Sequence, residues 1–367
     1  MKIAIITRST LYTVPGGDTE QILQTAKFLK ELGVGVELFL TTQKIDYSKY
    51  DLLHVFNITR PADILYHISK TKKPVVVSTI LVDYTEYDMQ HRTGLPGLIL
   101  RLFPAGANEY IKTIARWVLK KDSLQSKSYL WKGQEKSIKE ILQKASLLLP
   151  NSEAEYQKIE GLYGMKKNYS VIPNGIDSSL FFPPSESDSY RMEKDDKLIL
   201  SAARIEGRKN QLNLIKALND TTYTLLLTGL PAPNQKKYYE ECKKIASQNI
   251  KFCGRVPINI LVDYYKKAKV HVLPSWHETC GLSSLEAAAM GCNIVITEKG
   301  FTREYFGDDA FYCDPGNPES IFNAVEKAAQ SDCRKELQQK VLNRYTWQQA
   351  AASTLESYQK IISICKN

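Results

Sequence analysis

The sequence predicts an α/β protein with two parallel-sheet domains. The chain has 367 residues, 43% of them apolar, which is too long for one ordinary core and apolar enough for two. Short apolar runs alternate with amphipathic stretches in two separate series. Between the series lies the polar stretch SSLFFPPSESDSYRMEKDDK, which has linker composition. We therefore expect a first domain over 1–177, a linker over 178–196, a second domain over 197–345 and a last segment over 346–367.

Each series supplies the strands of one sheet. In the first, apolar runs predict strands at 3–6, 36–40, 52–56, 75–78 and 147–150, with a helix over 20–32 that Gly33 ends. In the second, they predict strands at 198–201, 223–227, 250–252, 270–273, 293–297 and 310–312. Open parallel sheets bind ligands beyond the carboxyl ends of their strands, so we expect the active site there, in a cleft between the domains.

Composition restricts the location and the partners. All seven cysteines fall in the C-terminal half without a C-x-x-C pair, which is typical of buried thiols in a reducing compartment. Residues 1–10 are too short an apolar run for a signal peptide or a membrane span, so we expect a cytoplasmic protein. The net charge is +9, and the segment 92–139 holds ten Lys or Arg against three Asp or Glu. No nucleic-acid-binding motif accompanies this charge, which disfavours nucleic acid as a partner.

The strongest chemical signal is HETCGLSSLEAAAMG, residues 277–291, which follows the predicted strand 270–273. Gly281 and Leu282 should begin a helix, whose free amides and positive dipole end form an anion site. Glu278 would face the bound ligand from the loop, and Glu286, about two turns into the helix, would reach hydroxyls of a longer ligand. The alternative is an ordinary helix with one carboxylate near its start and a second in solvent.

Two further loops carry candidate residues. In AARIEGRKNQ, Arg204 and Lys209 follow the predicted strand 198–201 and suit a diphosphate, although loop solubility is the simpler explanation for two such cations alone. In VPGGDTE, Gly16 and Gly17 lie between the first strand and the first helix, where they let backbone approach a ligand. This pair is not the G-x-G-x-x-G fingerprint, which disfavours a dinucleotide.

Taken in order, these motifs resemble those of the retaining glycosyltransferases of family four, which have the GT-B fold of two Rossmann-like domains. Two of the motifs contain most of the candidate residues: SAARIEGRKN contains Arg204 and Lys209, and ETCGLSSLE contains Glu278 and Gly281. The similar segments are PGGDTE (15–20), NSEAE (151–155), VIPNGIDSSLFFP (171–183), SAARIEGRKN (201–210), FCGRV (252–256), ETCGLSSLE (278–286) and YTWQQAAASTLESY (345–358). The resemblance covers nearly the whole chain. It implies that the terminal helix crosses back onto the first domain.

The resemblance implies a role for each matching residue. Arg204 and Lys209 would hold the diphosphate of a UDP- or GDP-sugar and stabilise the leaving group, assisted by the amides near Gly281 and Leu282. The remaining roles concern the parts of the donor: Glu278 for the transferred sugar, Glu286 for the ribose, Arg255 and Val256 for the base, and Gly16 and Gly17 for the phosphates or the acceptor, from the opposite domain. The nucleotide-sugar is then a substrate and no cofactor is expected.

The sequence departs from the family in the first domain. Many members carry a histidine near the transferred sugar after the strand at 75–78, and the matching position here is Ile80. His54 and His277 are the nearest alternatives, although both positions are also typical of structural histidines. No D-x-D triplet occurs in the chain, so we expect no metal: the cationic side chains and the helix dipole would supply the charge.

Two functional alternatives and one partner remain open. A nucleotide-sugar epimerase or hydrolase, or a non-catalytic sugar-nucleotide-binding subunit, would share the two-domain plan. In the basic segment, the apolar residues Ile111, Ile114, Ala115, Val118 and Leu119 follow helical spacing, while Lys112, Arg116, Lys120 and Lys121 lie largely off that stripe. Such a helix could rest on an anionic membrane surface and bring the enzyme to a lipid-linked saccharide, or it could pack on its own sheet.

Overall fold

The computed structural model describes residues 1–91, 105–119, 123–182 and 194–366. The chain packs into two compact units. The first unit comprises Met1–Asn174 and Trp347–Asn367, and the second comprises Gly175–Thr346. Most of the predicted linker (183–193) and parts of the basic segment (92–104 and 120–122) lie outside the described residues.

The first unit is built on a five-stranded parallel sheet. Its strands are β1 (Lys2–Thr7), β2 (Gly35–Leu40), β3 (Leu52–Phe56), β4 (Val75–Ser78) and β5 (Leu147–Leu149). The sheet order is β2-β1-β3-β4-β5. All five predicted strands are confirmed to within one residue at each end. Every residue of β3, β4 and β5 is buried, which explains why these strands do not alternate and are apolar except at His54 and Ser78.

Helices surround this sheet. Those described are α1 (Gly17–Glu31), α2 (Pro61–Ile68), α3 (Thr85–His91), α4 (Ala105–Val118), α5 (Tyr129–Lys144), α6 (Glu153–Tyr163) and, from the C-terminus, α14 (Trp347–Lys366). The helix predicted over 20–32 is therefore α1, which starts three residues earlier. It ends before Gly33, whose φ of +79° lies in the left-handed region that favours glycine. Within the described residues, no helix is long and apolar enough to cross a membrane.

The second unit contains a six-stranded parallel sheet. Its strands are β6 (Asp195–Ala202), β7 (Thr224–Thr228), β8 (Ile250–Gly254), β9 (Ala268–Leu273), β10 (Asn293–Thr297) and β11 (Phe311–Cys313). Its helices are α7 (Gln211–Leu218), α8 (Lys236–Ile245), α9 (Ile258–Lys267), α10 (Leu282–Ala289), α11 (Thr302–Phe306), α12 (Pro318–Gln330) and α13 (Lys335–Arg344). All six predicted strands are confirmed. Because β6 begins at Asp195, the last two residues of the predicted linker are already strand.

Strand order singles out particular loops in both sheets. The second sheet has the order β11-β10-β9-β6-β7-β8, so its first strand, β6, lies between β9 and β7. Counted within the unit, this is the 3-2-1-4-5-6 order of doubly wound dinucleotide-binding folds. Ligands of such sheets bind outside the carboxyl ends of the strands where the order reverses. In the second unit the reversal falls between the loops that follow β6 and β9, and in the first unit between those that follow β1 and β3.

The last helix belongs to the first unit and is anchored to its sheet. Helix α14 packs against α1, and the buried Tyr358 hydroxyl lies 2.6 Å from His54 Nδ1. Burial lowers the pKa of His54 to about 3 and raises the pKa of Tyr358, so both groups are neutral. Tyr358 therefore donates to Nδ1, and Nε2 donates to Ser78 Oγ at 2.9 Å. His54 is thus a structural histidine that ties β3 to the C-terminal helix.

The VIPNGID segment lies where the chain enters the second unit. The Ile176 amide donates to the Tyr345 carbonyl at 2.9 Å, and Ile176 pairs with Thr346 in a parallel bridge. A Cβ atom added at Gly175 would lie 2.4 Å from the Thr346 carbonyl carbon. This close approach of two backbone segments explains the glycine of the motif.

Candidate functional site

Two loops meet at the reversal point of the second sheet, and they carry most of the predicted site residues. One follows β6 and the other follows β9. Asn210 joins them, because its Nδ2 donates to the Pro274 carbonyl at 3.1 Å and to the Pro315 carbonyl at 2.7 Å. The Trp276 amide adds a bond to the Arg208 carbonyl at 3.0 Å. The two loops therefore form one connected surface at the carboxyl edge of the sheet.

Lys209 and Glu278, one from each loop, form an ion pair. Lys209 Nζ donates to Glu278 Oε1. The side chains are 21% and 9% exposed, respectively, so solvent screens this pair less than an ordinary surface pair. The structure thus brings together two residues that lie 69 positions apart in the chain.

The backbone of Glu278 is held by the loop after β10. Its amide donates to the Lys299 carbonyl at 3.0 Å, and its carbonyl accepts from the Phe301 amide at 3.0 Å. Between these two residues, Gly300 has a φ of +115°, and a Cβ atom there would lie 1.9 Å from the Glu278 carbonyl oxygen. Gly300 therefore supports the candidate site. It was not among the predicted residues, because its only signal in the sequence is its position after the predicted strand 293–297.

Arg204 lies on the loop after β6 with a half-exposed side chain. Its Nη2 donates to Glu206 Oε1 at 2.9 Å, and its carbonyl accepts from Gln211 Nε2 at 2.9 Å. This loop also rests on a glycine, because a Cβ atom at Gly229 would lie 2.0 Å from the Ala203 carbonyl oxygen. Both cations of the predicted anion site are thus presented by a loop whose backbone is fixed.

Helix α10 begins at Leu282, which confirms the predicted helix start. Gly281 precedes it with a φ of +67°, in the left-handed region. Glu286 is the fifth helical residue and lies little more than one turn from the start, so the prediction of about two turns was wrong. His271, in β9, holds the first turn of α10, because its Nδ1 lies 3.2 Å from Ser284 Oγ. Burial lowers the pKa of His271 to about 3, so this ring is neutral.

The remaining predicted residues are more dispersed. Arg255 and Val256 follow β8, so they lie on the same carboxyl edge as the two loops, at the outer strand of the sheet. Gly16 and Gly17 lie in the first unit, at the start of α1. Gly16 has a φ of −153°, an extended conformation open to any residue. Backbone geometry by itself therefore does not require a glycine there.

Arg8 organises the loop that carries this glycine pair. It is 9% exposed and donates to both carboxylate oxygens of Asp18, at 2.7 and 3.0 Å. It also donates to the carbonyls of Thr10, at 2.7 Å, and Val14, at 2.8 Å. Arg8 was not among the predicted site residues, because its only signal in the sequence is a cation directly after the first strand. The loop after β1 is consequently a fixed element rather than a loose one.

Ile80 lies directly beyond β4 in a strained conformation. Its φ is +46°, a region that β-branched residues rarely adopt. The buried Glu155 carboxylate holds the residues on either side, accepting from the Thr79 hydroxyl and from the Leu81 amide at 2.8 Å. It also accepts from the Asn151 amide at 2.9 Å, which gives the NSEAE segment a structural purpose.

The two alternative histidines lie in different units. His54 is committed to Ser78 and Tyr358 inside the first unit, as described above. His277 is buried in the loop after β9, with its ring centroid 5.8 Å from that of Phe301. Ile80 is itself 5% exposed, so this position contributes an apolar, buried side chain.

The chain is similar to known proteins over the second unit and over its whole length. The sequence profile described as glycosyl transferases group 1 matches residues 184–345. A D-inositol 3-phosphate glycosyltransferase from Corynebacterium urealyticum is 24% identical, over 98% of this chain and 96% of that protein. O-antigen chain mannosyltransferase B from Escherichia coli is 24% identical, over 61% of this chain and 63% of that protein.

Solved structures share the fold at low sequence identity. Sucrose-phosphate synthase from Thermosynechococcus elongatus superposes with a TM-score of 0.74 and 14% identity, over 99% of this chain and all of that one. Anabaena HepE, solved in complex with UDP, superposes with a TM-score of 0.68 and 16% identity, over 98% of this chain and all of that one. Together with the two parallel sheets, these similarities show that the chain has the GT-B fold.

Proposed function

We propose that the protein is a retaining glycosyltransferase that moves a sugar from a UDP- or GDP-sugar to a saccharide or lipid-linked saccharide, without a metal ion. One observation carries the proposal. At the point where the strand order of the second sheet reverses, the loops after β6 and β9 present Arg204, Lys209 and Glu278 beside the start of α10. Cations, a carboxylate and a helix N-terminus at this position suit a sugar linked to a diphosphate.

Charge at the leaving group is the centre of the proposed chemistry. Departure of the nucleoside diphosphate develops negative charge on its oxygens, and Arg204 and Lys209 would stabilise that charge from fixed loops. The amides near Gly281 and Leu282 would add the positive end of the helix dipole. Because these groups supply the charge that a divalent cation supplies in enzymes with a D-x-D triplet, we expect the reaction to proceed without one.

The carboxylates would orient the donor. Glu278 accepts a bond from Lys209, but a carboxylate has about four acceptor sites and can also bind hydroxyls of the transferred sugar. Glu286 would bind the ribose, and Arg255 and Val256 would lie beside the base.

No motif points to a protein nucleophile behind the sugar, so we propose a front-face reaction. The bond between the anomeric carbon and the diphosphate oxygen breaks, and the acceptor oxygen bonds to that carbon on the same face. The acceptor proton passes to an oxygen of the departing diphosphate. The protein contributes orientation and electrostatic stabilisation.

We further propose that the first unit contacts an anionic membrane surface, where a lipid-linked acceptor of envelope polysaccharide synthesis would be found. Exposed apolar side chains at the end of α4 support this: Trp117 is 41% exposed, Val118 65% and Leu119 63%. Of the cations that lie off the apolar stripe, Lys112 is only 12% exposed and pairs with Asp88 and Glu109. The remaining cations of the segment would supply the attraction to anionic lipid, at ~1 kcal/mol each.

Incubation with a panel of UDP- and GDP-sugars tests the proposal. We expect binding of one nucleotide class and slow donor hydrolysis in the absence of acceptor, with release of the sugar as the anomer present in the donor. Release of an epimerised nucleotide-sugar would favour the epimerase alternative, and binding without any turnover would favour a non-catalytic subunit. Sedimentation with anionic and neutral vesicles at low and high salt tests the membrane contact. Failure to bind either vesicle type at any salt concentration would refute it.

A further inference from the structure

A fully buried tyrosine lies against Glu286. Tyr265 is in the last turn of α9, it has no exposed surface, and its hydroxyl donates to Glu286 Oε2 at 3.0 Å. Burial raises the pKa of Tyr265 well above its ordinary value, and the neighbouring Glu286 charge raises it further. The hydroxyl therefore remains protonated at any physiological pH and is a permanent donor to the carboxylate.

The position of this hydroxyl is fixed by the packing around the tyrosine. Its ring centroid lies 6.0 Å from that of Phe181 and 5.9 Å from that of His271. Its carbonyl accepts from Lys194 Nζ at 2.7 Å, and the same ammonium group donates to the Met290 carbonyl, just after α10, at 2.8 Å. Lys194 thus ties the end of α9 to the end of α10, so Tyr265 cannot move independently of the helix that carries Glu286.

The bond constrains a flexible side chain that reaches the surface. Glu286 is only partly buried, whereas Ser284, Leu285 and Ala287 beside it are buried. A free glutamate samples many rotamers, and ordering it costs conformational entropy. Tyr265 holds one carboxylate oxygen in advance. Because a carboxylate has about four acceptor sites, this bond leaves capacity for hydroxyl donors of a ligand.

We propose that Tyr265 is a positioning residue that orients Glu286 toward the ribose hydroxyls of the nucleoside diphosphate. The inference rests on the proposed function, which takes the ribose as the ligand of Glu286. The 2′ and 3′ hydroxyls are neighbouring donors, and a carboxylate receives both only when its plane has the correct orientation. Tyr265 touches no substrate in this arrangement and acts through Glu286 alone.

Calorimetric titration of Tyr265→Phe with UDP, GDP and their 2′,3′-dideoxy forms tests this role. The wild type should bind its nucleotide more tightly than the dideoxy form. Tyr265→Phe should weaken binding of the ribonucleotide roughly tenfold, the value of one hydrogen bond to a charged group, and leave the affinity for the dideoxy form unchanged. Tyr264→Phe is the matched control. It removes a hydroxyl from the preceding residue of the same helix and should change neither affinity.

Glu286→Gln provides a second test of this role, because it removes the carboxylate and leaves the buried core intact. It should abolish the preference for the ribonucleotide, and adding Tyr265→Phe to it should cause no further loss. Additive losses would overturn the inference, as would equal weakening of both nucleotide forms by Tyr265→Phe, which indicates a merely structural role. If the wild type binds no nucleoside diphosphate at all, the proposed function itself fails. If it binds and discriminates while Tyr265→Phe discriminates equally well, only the role of Tyr265 fails.

Discussion

Replacement of Lys209 by alanine separates catalysis from stability in this site. The substitution removes a cation that we place on the leaving diphosphate, and loss of one such contact costs about 3 kcal/mol of transition-state stabilisation, roughly a hundredfold in rate. It also leaves the Glu278 carboxylate, only 9% exposed, without its Lys209 partner. Loss of the hydrogen bond from Lys209 to this buried carboxylate costs about 1–3 kcal/mol of folding stability.

The two effects are measured independently. Turnover at saturating donor reports the first, and urea denaturation reports the second. Glu278→Ala should lose activity to a similar extent with a smaller loss of stability, because the Lys209 side chain is 21% exposed and can reach water. The double variant should regain part of the stability lost by Lys209→Ala. Lys216→Ala, which removes an exposed lysine of α7, is the matched control.

Near-normal turnover of either single variant would refute the assignment of the site. Unchanged stability of Lys209→Ala, with activity lost as expected, would instead show that Glu278 is adequately solvated without the ion pair. Turnover therefore tests the assignment of the site, and the free energy of unfolding tests the contribution of the ion pair to stability.

Three further outcomes follow from the structure. Burial lowers the pKa values of His54 and His271 to about 3 in the folded state, from an ordinary value of about 6.5. The unfolded state thus binds more protons below about pH 6.5. The free energy of unfolding should therefore fall as the pH drops below the pKa of histidine in the unfolded state, by about 1.4 kcal/mol per pH unit for each histidine. Between pH 7 and 5, the unfolding free energy of His54→Gln should depend less steeply on pH than that of the wild type. Gly300→Ala should abolish most activity by displacing the Glu278 backbone; a wild-type rate would contradict the close approach of these residues. Transfer should persist in EDTA, and an absolute requirement for Mg²⁺ or Mn²⁺ would contradict the charge role of Arg204 and Lys209.

Strand positions were predictable because burial acts locally. All eleven predicted strands occur in the described structure, since each contains a short apolar run, and the strands buried along their whole length are the most apolar. The start of α10 was predictable for a similar reason, because a glycine before a helical pattern marks where the chain changes direction. The depth of Glu286 within that helix was misjudged, since the pattern indicates a helix but not its first residue.

Residues that support the site were harder to find than those that form it. Gly300 and Tyr265 lay in none of the motifs, and Asn210 ended one without a predicted role, because the partners of all three are distant in the chain. Asn210 binds carbonyls 64 and 105 positions away, and Tyr265 binds a carboxylate 21 positions away. The ion pair of Lys112 was not predictable for the same reason, because its partner Asp88 lies on another helix.

By itself, the sequence determined the α/β class, the two series of strands, and the charged residues that follow particular strands. Each of these is recorded in a short window of residue types. Only the tertiary structure decided which loops become neighbours. Strands β6 and β9 pair directly although three helices and two strands separate them in the chain, and this pairing brings Lys209 to Glu278. Strand order depends on how crossover connections pack against the whole sheet, and no local pattern contains that information.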